Sequence, residues 1–147
     1  MSVSFTLRPA VEADFPAIRA LIRGARINPT GLDWRRFTVA VDGSGVIGCG
    51  QLKPVPSGLT ELASLAVQPA LRRQGVARAI LEHLLDGSPR PLYLTCRSGL
   101  GSFYEKFGFA AVAPGELPPY YHRLQRLAGL LMELARRGET LLVMKLD

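Results

Sequence analysis

The six residues Arg72-Arg73-Gln74-Gly75-Val76-Ala77 lie between an apolar run that ends near Val67 and a stretch with helical spacing. In that stretch Val76, Ile80 and Leu84 recur every fourth residue, as do Ala77, Leu81 and Leu85, and Arg78, Glu82 and His83 are left on the other side. A helix that opens here has no intrahelical partner for its first amides, and its dipole adds positive potential at the same end. Gly75 has no side chain and Ala77 a small one, so an anion can approach those amides, with arginines close by. By residue type the loop suits a phosphate. It carries neither G-x-x-x-x-G-K-[ST] nor G-x-G-x-x-G, so it is not a nucleotide loop of either kind.

Other reactive residue types point to less. Cys49 and Cys96 fall in predicted strands far apart, without C-x-x-C or histidines at metal-ligand spacing, and read as buried thiols with no metal. No serine or cysteine stands in a nucleophile motif beside a base. The net charge of +6 comes from 18 basic residues, 15 of them arginine, scattered along the chain. Scattered charge favours anionic ligands, whereas nucleic acid as a partner would call for a clustered, aromatic-interleaved basic tract.

The elements around the loop follow from periodicity. Val3, Phe5 and Leu7 alternate with polar residues as a strand ended by Pro9. A helix follows, with Asp14 as N-cap, Phe15, Ile18, Leu21 and Ile22 on its buried stripe, and Gly24 as its stop. The turn-rich segment 27–34 carries Trp34, the only tryptophan. Residues 37–41 and 46–52 form a hairpin through Asp42-Gly43-Ser44-Gly45. After the strand ended by Pro69 and the helix at 76–85, the pattern gives a strand at 91–96, a helix ending at Gly108 and a strand from Phe109. A long amphipathic helix spans 118–137, with Leu124, Leu127, Leu131 and Leu134 on one side, before a last strand at 140–146. This order predicts an α/β mixed sheet with helices on both faces, in one domain spanning 1–147. No apolar run approaches the roughly 18 residues that cross a bilayer, and the start lacks the pattern of a signal peptide, so no membrane is expected and the cytoplasm is the expected location.

The spacing R-x-x-G-x-A at Arg72, Gly75 and Ala77, after a strand and opening a helix, resembles the signature of the GNAT superfamily of acyl-CoA-dependent N-acyltransferases. The resemblance covers roughly Ser4 to Val112, and the string Tyr104-Glu105-Lys106-Phe107-Gly108-Phe109 looks like the family's Y-x-K-x-G-F. It implies the GNAT fold, a mostly antiparallel mixed sheet with helices on both faces, and acetyl-CoA as co-substrate. It also implies residue roles. The pyrophosphate of coenzyme A would lie on Arg72, Arg73, Gln74, Gly75, Val76, Ala77 and Arg78, and the backbone of Leu65, Ala66 and Val67 would pair with the pantetheine arm. An amide of Ala66 or Val67 would polarise the thioester, Tyr104 would donate a proton to the leaving thiolate, and Glu61 would stand where some members have a general base. Ala63 leaves another carboxylate position of that strand empty, and Arg97 replaces the family's frequent asparagine.

The implied activity is transfer of an acetyl group to a primary amine by direct attack in a ternary complex, with water as the alternative base to Glu61. The rival reading is a non-catalytic coenzyme A-binding module on the same fold. For the acceptor, a small molecule or a peptide amine, the candidate residues are Trp34, Phe37, Tyr120, Tyr121 and His122, with Arg35 or Arg36 to hold a carboxylate. An apolar face after residue 118 would also suit a homodimer.

Overall fold

The computed structural model describes residues 4–130 and 138–147, with residues 128–130 by backbone alone. The chain divides into two compact units, Met1–Lys53 with Leu62–Ser88, and Pro54–Glu61 with Pro89–Asp147. Seven strands among the described residues follow the order Thr6–Pro9, Phe37–Asp42, Gly45–Val55, Leu59–Val67, Leu92–Arg97, Leu141–Leu146, Ala110–Ala111, with Gly45–Val55 and Leu59–Val67 each contributing residues to both units. The fold is the expected mixed α/β arrangement, and its pairing is mostly antiparallel.

In the first unit β1 (Thr6–Pro9) pairs antiparallel with β2 (Phe37–Asp42), which pairs antiparallel with β3 (Gly45–Val55). The Asp42 carboxylate closes the hairpin turn by accepting from the Ser44 amide at 2.8 Å and its hydroxyl at 2.6 Å, an Asx-type turn. Gly43 to Gly48 spell G-x-G-x-x-G, but they form this turn and a strand with no helix after it, so they are not a dinucleotide turn. β3 runs to Val55, beyond the expected end at Leu52.

β4 (Leu59–Val67) leads through a 3-10 turn to α2 (Val76–Leu85), and α1 (Phe15–Ala25) precedes β2. Ile18 and Ile22 of α1 form a core with Phe37, Val39, Cys49 and Ala66, which bears out the predicted stripe. Asp14 stands at the expected N-cap position of α1, but its own backbone is helical and its side chain makes no cap bond to the helix. The carboxylate instead accepts from the Val11 amide at 2.8 Å and from both Arg8 nitrogens at 2.7 and 3.0 Å. The hydrogen bond from Arg8 is the main reason its acid is held below the usual carboxylate range. The expected stop at Gly24 also shifts: α1 continues to Ala25, and Arg26 takes the left-handed conformation at φ 56°.

In the second unit the first residues of β4 pair parallel with β5 (Leu92–Arg97), as Thr60 with Leu92 and Glu61 with Tyr93. β5 pairs antiparallel with β7 (Leu141–Leu146) over six residues, and β7 pairs with the short β6 (Ala110–Ala111). α3 (Gly101–Glu105) is a short helix, and α4 (Pro119–Leu130) lies within the helix expected over 118–137. Val55, Tyr93, Tyr121 and Val143 form its core, with Leu124 packed against them. Leu127, expected on the same stripe, is 57% exposed, while Leu131 and Leu134 lie outside the described residues.

α2 lies close against β3 because Gly48 and Gly50 face it. A Cβ at Gly50 would stand 2.9 Å from Ile80 Cγ2 and 3.1 Å from Leu84 Cδ1, and one at Gly48 would stand 3.0 Å from both Ile80 and Val76. Gly50→Val is therefore expected to lower the unfolding free energy by roughly 1–3 kcal/mol, the usual cost of overpacking, with urea denaturation as the check.

Candidate functional site

The phosphate-type loop has the expected form. Gly75 precedes α2 at φ 85°, a left-handed conformation open to glycine without strain, and a Cβ there would meet nothing within 4 Å. Ala79 donates to the Gly75 carbonyl at 3.0 Å, so the amides of Val76, Ala77 and Arg78 come ahead of this first intrahelical bond. Arg72, Arg73 and Arg78 are exposed and Gln74 is half-buried. Arg73 takes φ 65°, a conformation seldom adopted by side-chain-bearing residues. A cavity of about 260 Å³ opens beside this loop, lined by Ala17, Leu21 and Gly24 of α1 and by Val67, Gln68 and Arg72.

Leu65 is half-buried, and Ala66 and Val67 are buried at the end of β4. Just before them Ser64 has φ 60° in mid-strand, where extended backbone is the rule. The Ser64 hydroxyl accepts from Gln51 Nε2 at 2.9 Å, and its carbonyl accepts from Cys49 Sγ at 3.5 Å. This pair carries no sequence motif of its own. Its one visible sign was a glutamine inside the otherwise apolar run 46–52.

In the second unit Tyr104 lies on α3 with its ring edge-on to Phe103 at 5.1 Å and Phe109 at 6.1 Å. Burial pushes its phenol up, and Cys96 adds to the effect, so the hydroxyl stays protonated. The Cys96 thiol is itself pushed up to about 11 by burial, and Cys49, in the first unit, to about 12 by the same cause. Both are the buried, protonated thiols expected. Among the described residues no group of three or more His, Cys, Asp or Glu could hold a metal ion.

Glu61 is only 5% exposed, and its Oε1 accepts from the Tyr121 hydroxyl at 2.9 Å. Tyr121 is fully buried and stacks on Tyr93 with ring centroids 5.1 Å apart, while Tyr120 meets it edge-on at 4.9 Å. Burial first, and then the Glu61 charge, raise the phenols of both Tyr120 and Tyr121. Of the residues expected to line an acceptor pocket, the structure thus makes Tyr121 a core donor to a carboxylate, leaves Tyr120 half-buried and exposes His122. In the first unit Phe37 is a core residue and Trp34 is half-buried. The Arg35 guanidinium lies 5.4 Å from the Trp34 ring centroid and 3.6 Å from the Asp33 carboxylate, whose side chain also accepts from the Arg35 amide at 3.0 Å. Arg36 and Arg97 are exposed.

Comparison with known proteins agrees with the fold. Residues 33–111 match the family described as Acetyltransferase (GNAT) domain. The uncharacterized N-acetyltransferase YsnE of Bacillus subtilis is 31% identical over 87 residues, 53% of this chain and 58% of that protein. N-acetylglutamate synthase of Neisseria gonorrhoeae, solved with coenzyme A and N-acetyl-glutamate, matches with a TM-score of 0.72 at 24% identity, over 100% of this chain and 36% of its own. Rv2747 of Mycobacterium tuberculosis, in complex with CoA and NLQ, gives 0.68 at 23% identity over 97% of this chain and 99% of its own. The chain thus spans little more than half the length of its curated relative and about a third of the synthase.

The bond between Tyr121 and Glu61 is a buried polar contact with a measurable consequence. Tyr121→Phe keeps the ring stack and removes one donor to a buried carboxylate, so equilibrium unfolding is expected to show a loss of roughly 1.5–3 kcal/mol.

Proposed function

The chain belongs to the acetyltransferase (GNAT) domain family, and from that premise we propose that it transfers an acetyl group from acetyl-CoA to the primary amine of a small molecule or peptide. The observation that carries the reading is the loop 72–77, where Gly75 at φ 85° opens α2 with three amides ahead of its first bond. Such an end binds a diphosphate through backbone donors and dipole together, and the exposed Arg72, Arg73 and Arg78 add charge.

In this reading the amine attacks the thioester carbon directly. A C–N bond forms, the C–S bond breaks and the electron pair leaves with sulfur. Amides of the segment Leu65 to Val67 stabilise the oxygen that gains charge, as preorganised donors do in acyl transfer. Tyr104, kept protonated by burial, donates to the departing sulfur. The proton lost by the amine goes to Glu61 or to water. Direct attack is favoured over a covalent enzyme intermediate because both cysteines are buried thiols pushed well above neutrality. Arg35, held by Trp34 and Asp33, suits a carboxylate on the acceptor, and the synthase of Neisseria gonorrhoeae was solved with an acetylated amino acid. Amino acids accordingly come first in an acceptor panel, followed by polyamines and peptide amines.

Calorimetry with acetyl-CoA and thiol release across that panel test the reading. Gly75→Glu places a carboxylate against the diphosphate and is expected to weaken acetyl-CoA binding at least tenfold, about 1.4 kcal/mol. Tyr104→Phe is expected to lower kcat roughly 10²-fold while acetyl-CoA affinity is kept. Parental affinity in Gly75→Glu would sink the donor reading, and an unchanged kcat in Tyr104→Phe would remove the tyrosine from it.

A further inference from the structure

We propose that Gln51 is a positioning residue for the acyl-donor strand: its side-chain amide clamps Ser64 in left-handed backbone and so fixes the course of the amides that follow, Leu65 to Val67. The inference rests on the donor reading above and assigns its geometry to a residue that does not itself touch the acyl group.

Ser64 is the strained point of β4. Its φ of 60° falls in mid-strand, and a serine there costs free energy that only the surroundings can hold. A left-handed residue in a strand acts as a bulge, turning the chain after it away from regular alternation.

Two side chains of β3 hold this point. Gln51 lies on the α1 side of its strand with Cys49, two residues away, and is 0% exposed. Its Nε2 donates to Ser64 Oγ at 2.9 Å and to the Gly31 carbonyl at 3.3 Å, using both amide protons. Cys49 Sγ donates to the Ser64 carbonyl at 3.5 Å. The Gln51 Oε1 is buried and has no hydrogen-bond partner among the described residues. Turning the amide over would offer that oxygen the Ser64 hydroxyl proton but would set it against the Gly31 carbonyl, which can only accept. The observed orientation is therefore the one in which the glutamine serves both neighbours and leaves its own oxygen unsatisfied. A leucine or methionine would fill the same volume without a buried orphan. What the amide supplies in exchange is its hold on Ser64 and on the segment that carries Gly31.

The test needs only the donor. Acetyl-CoA labelled with 13C at the carbonyl is titrated into the full chain, because a carbonyl that accepts from fixed amides moves downfield. The parent is expected to show that shift. Gln51→Met and Ser64→Ala are each expected to lose most of it while coenzyme A, which has no acyl group, binds with parental affinity. Ser64→Gly takes the left-handed conformation without a clamp, so it is expected to keep the shift alone and to restore it when combined with Gln51→Met. A shift retained in full by Gln51→Met overturns the proposal, as does a double variant that regains nothing or a parallel loss of affinity for both ligands. Should Gln51→Met fail to fold, Ser64→Ala carries the same two outcomes. A parent chain that binds neither ligand overturns the donor reading first, and this inference with it.

Discussion

The close approach of α2 to β3 is the constraint on which the rest of the first unit depends. It exists because two alternate residues of the strand, Gly48 and Gly50, have no side chain on that face, and Val76, Ile80 and Leu84 occupy the space. The residues between and after them, Cys49 and Gln51, project to the other face and meet the α1 core and Ser64. The four letters Gly-Cys-Gly-Gln thus sort two tasks by the period of the strand. One face seats the helix that Gly75 opens, and the other holds the backbone of β4 at its strained residue. Helix and strand end are joined by the loop 68–75, so fixing both ends helps to fix the loop, to which the Gln68 amide adds a bond to the Ile47 carbonyl and the Leu71 amide one to the Gln68 carbonyl, each at 2.9 Å.

The second unit is organised by a different contact. A carboxylate that is 5% exposed is expensive to leave charged unless donors surround it, and Tyr121 supplies one from the first turn of α4. The phenol cannot return the favour by ionising, because burial and the carboxylate both hold its proton in place. The result is a one-way hydrogen bond that ties α4 to the start of β4 and keeps Tyr93 and Tyr121 stacked. Among the described residues α4 is held by this polar pair, by Leu124 and by Gln125, whose Nε2 donates to the Leu141 carbonyl at 3.0 Å, while Leu127 faces solvent.

Much of this was legible in the residues. The periodicities of 15–25 and 76–85, the hairpin at 42–45 and the loop at 72–77 follow from local rules, because a helix stripe or a turn residue carries its own signature. The misses share a cause. Asp14 looks like a helix cap until Arg8 and the Val11 amide compete for its oxygens. Gly24 looks like a stop, yet α1 core packing extends one turn residue further and ends on Arg26. Ser64 gives no sign at all, since its left-handed backbone is imposed by partners 13 and 15 residues earlier in the chain. Tyr121 was placed at a pocket by its position in a loop-to-helix junction, while its real environment depends on a carboxylate 60 residues away. Local propensity finds elements; it does not find which polar group wins a contest between distant neighbours.

That contest also bears on how the proposed reaction ends. A phenol at its ordinary pKa could hand its proton to a departing thiolate with little cost. Tyr104 is raised above that value by burial, so full transfer would leave a phenolate in the same apolar ring of Phe103 and Phe109 that raised it. In the proposed reaction its role would then be a hydrogen bond that strengthens as charge builds on sulfur, with the proton still mostly on the tyrosine. Such a donor stabilises the transition state more than the neutral thioester, which is the condition for accelerating the step and not merely binding the substrate. The proton that finally neutralises the thiolate would come from the attacking amine, by way of Glu61 or water.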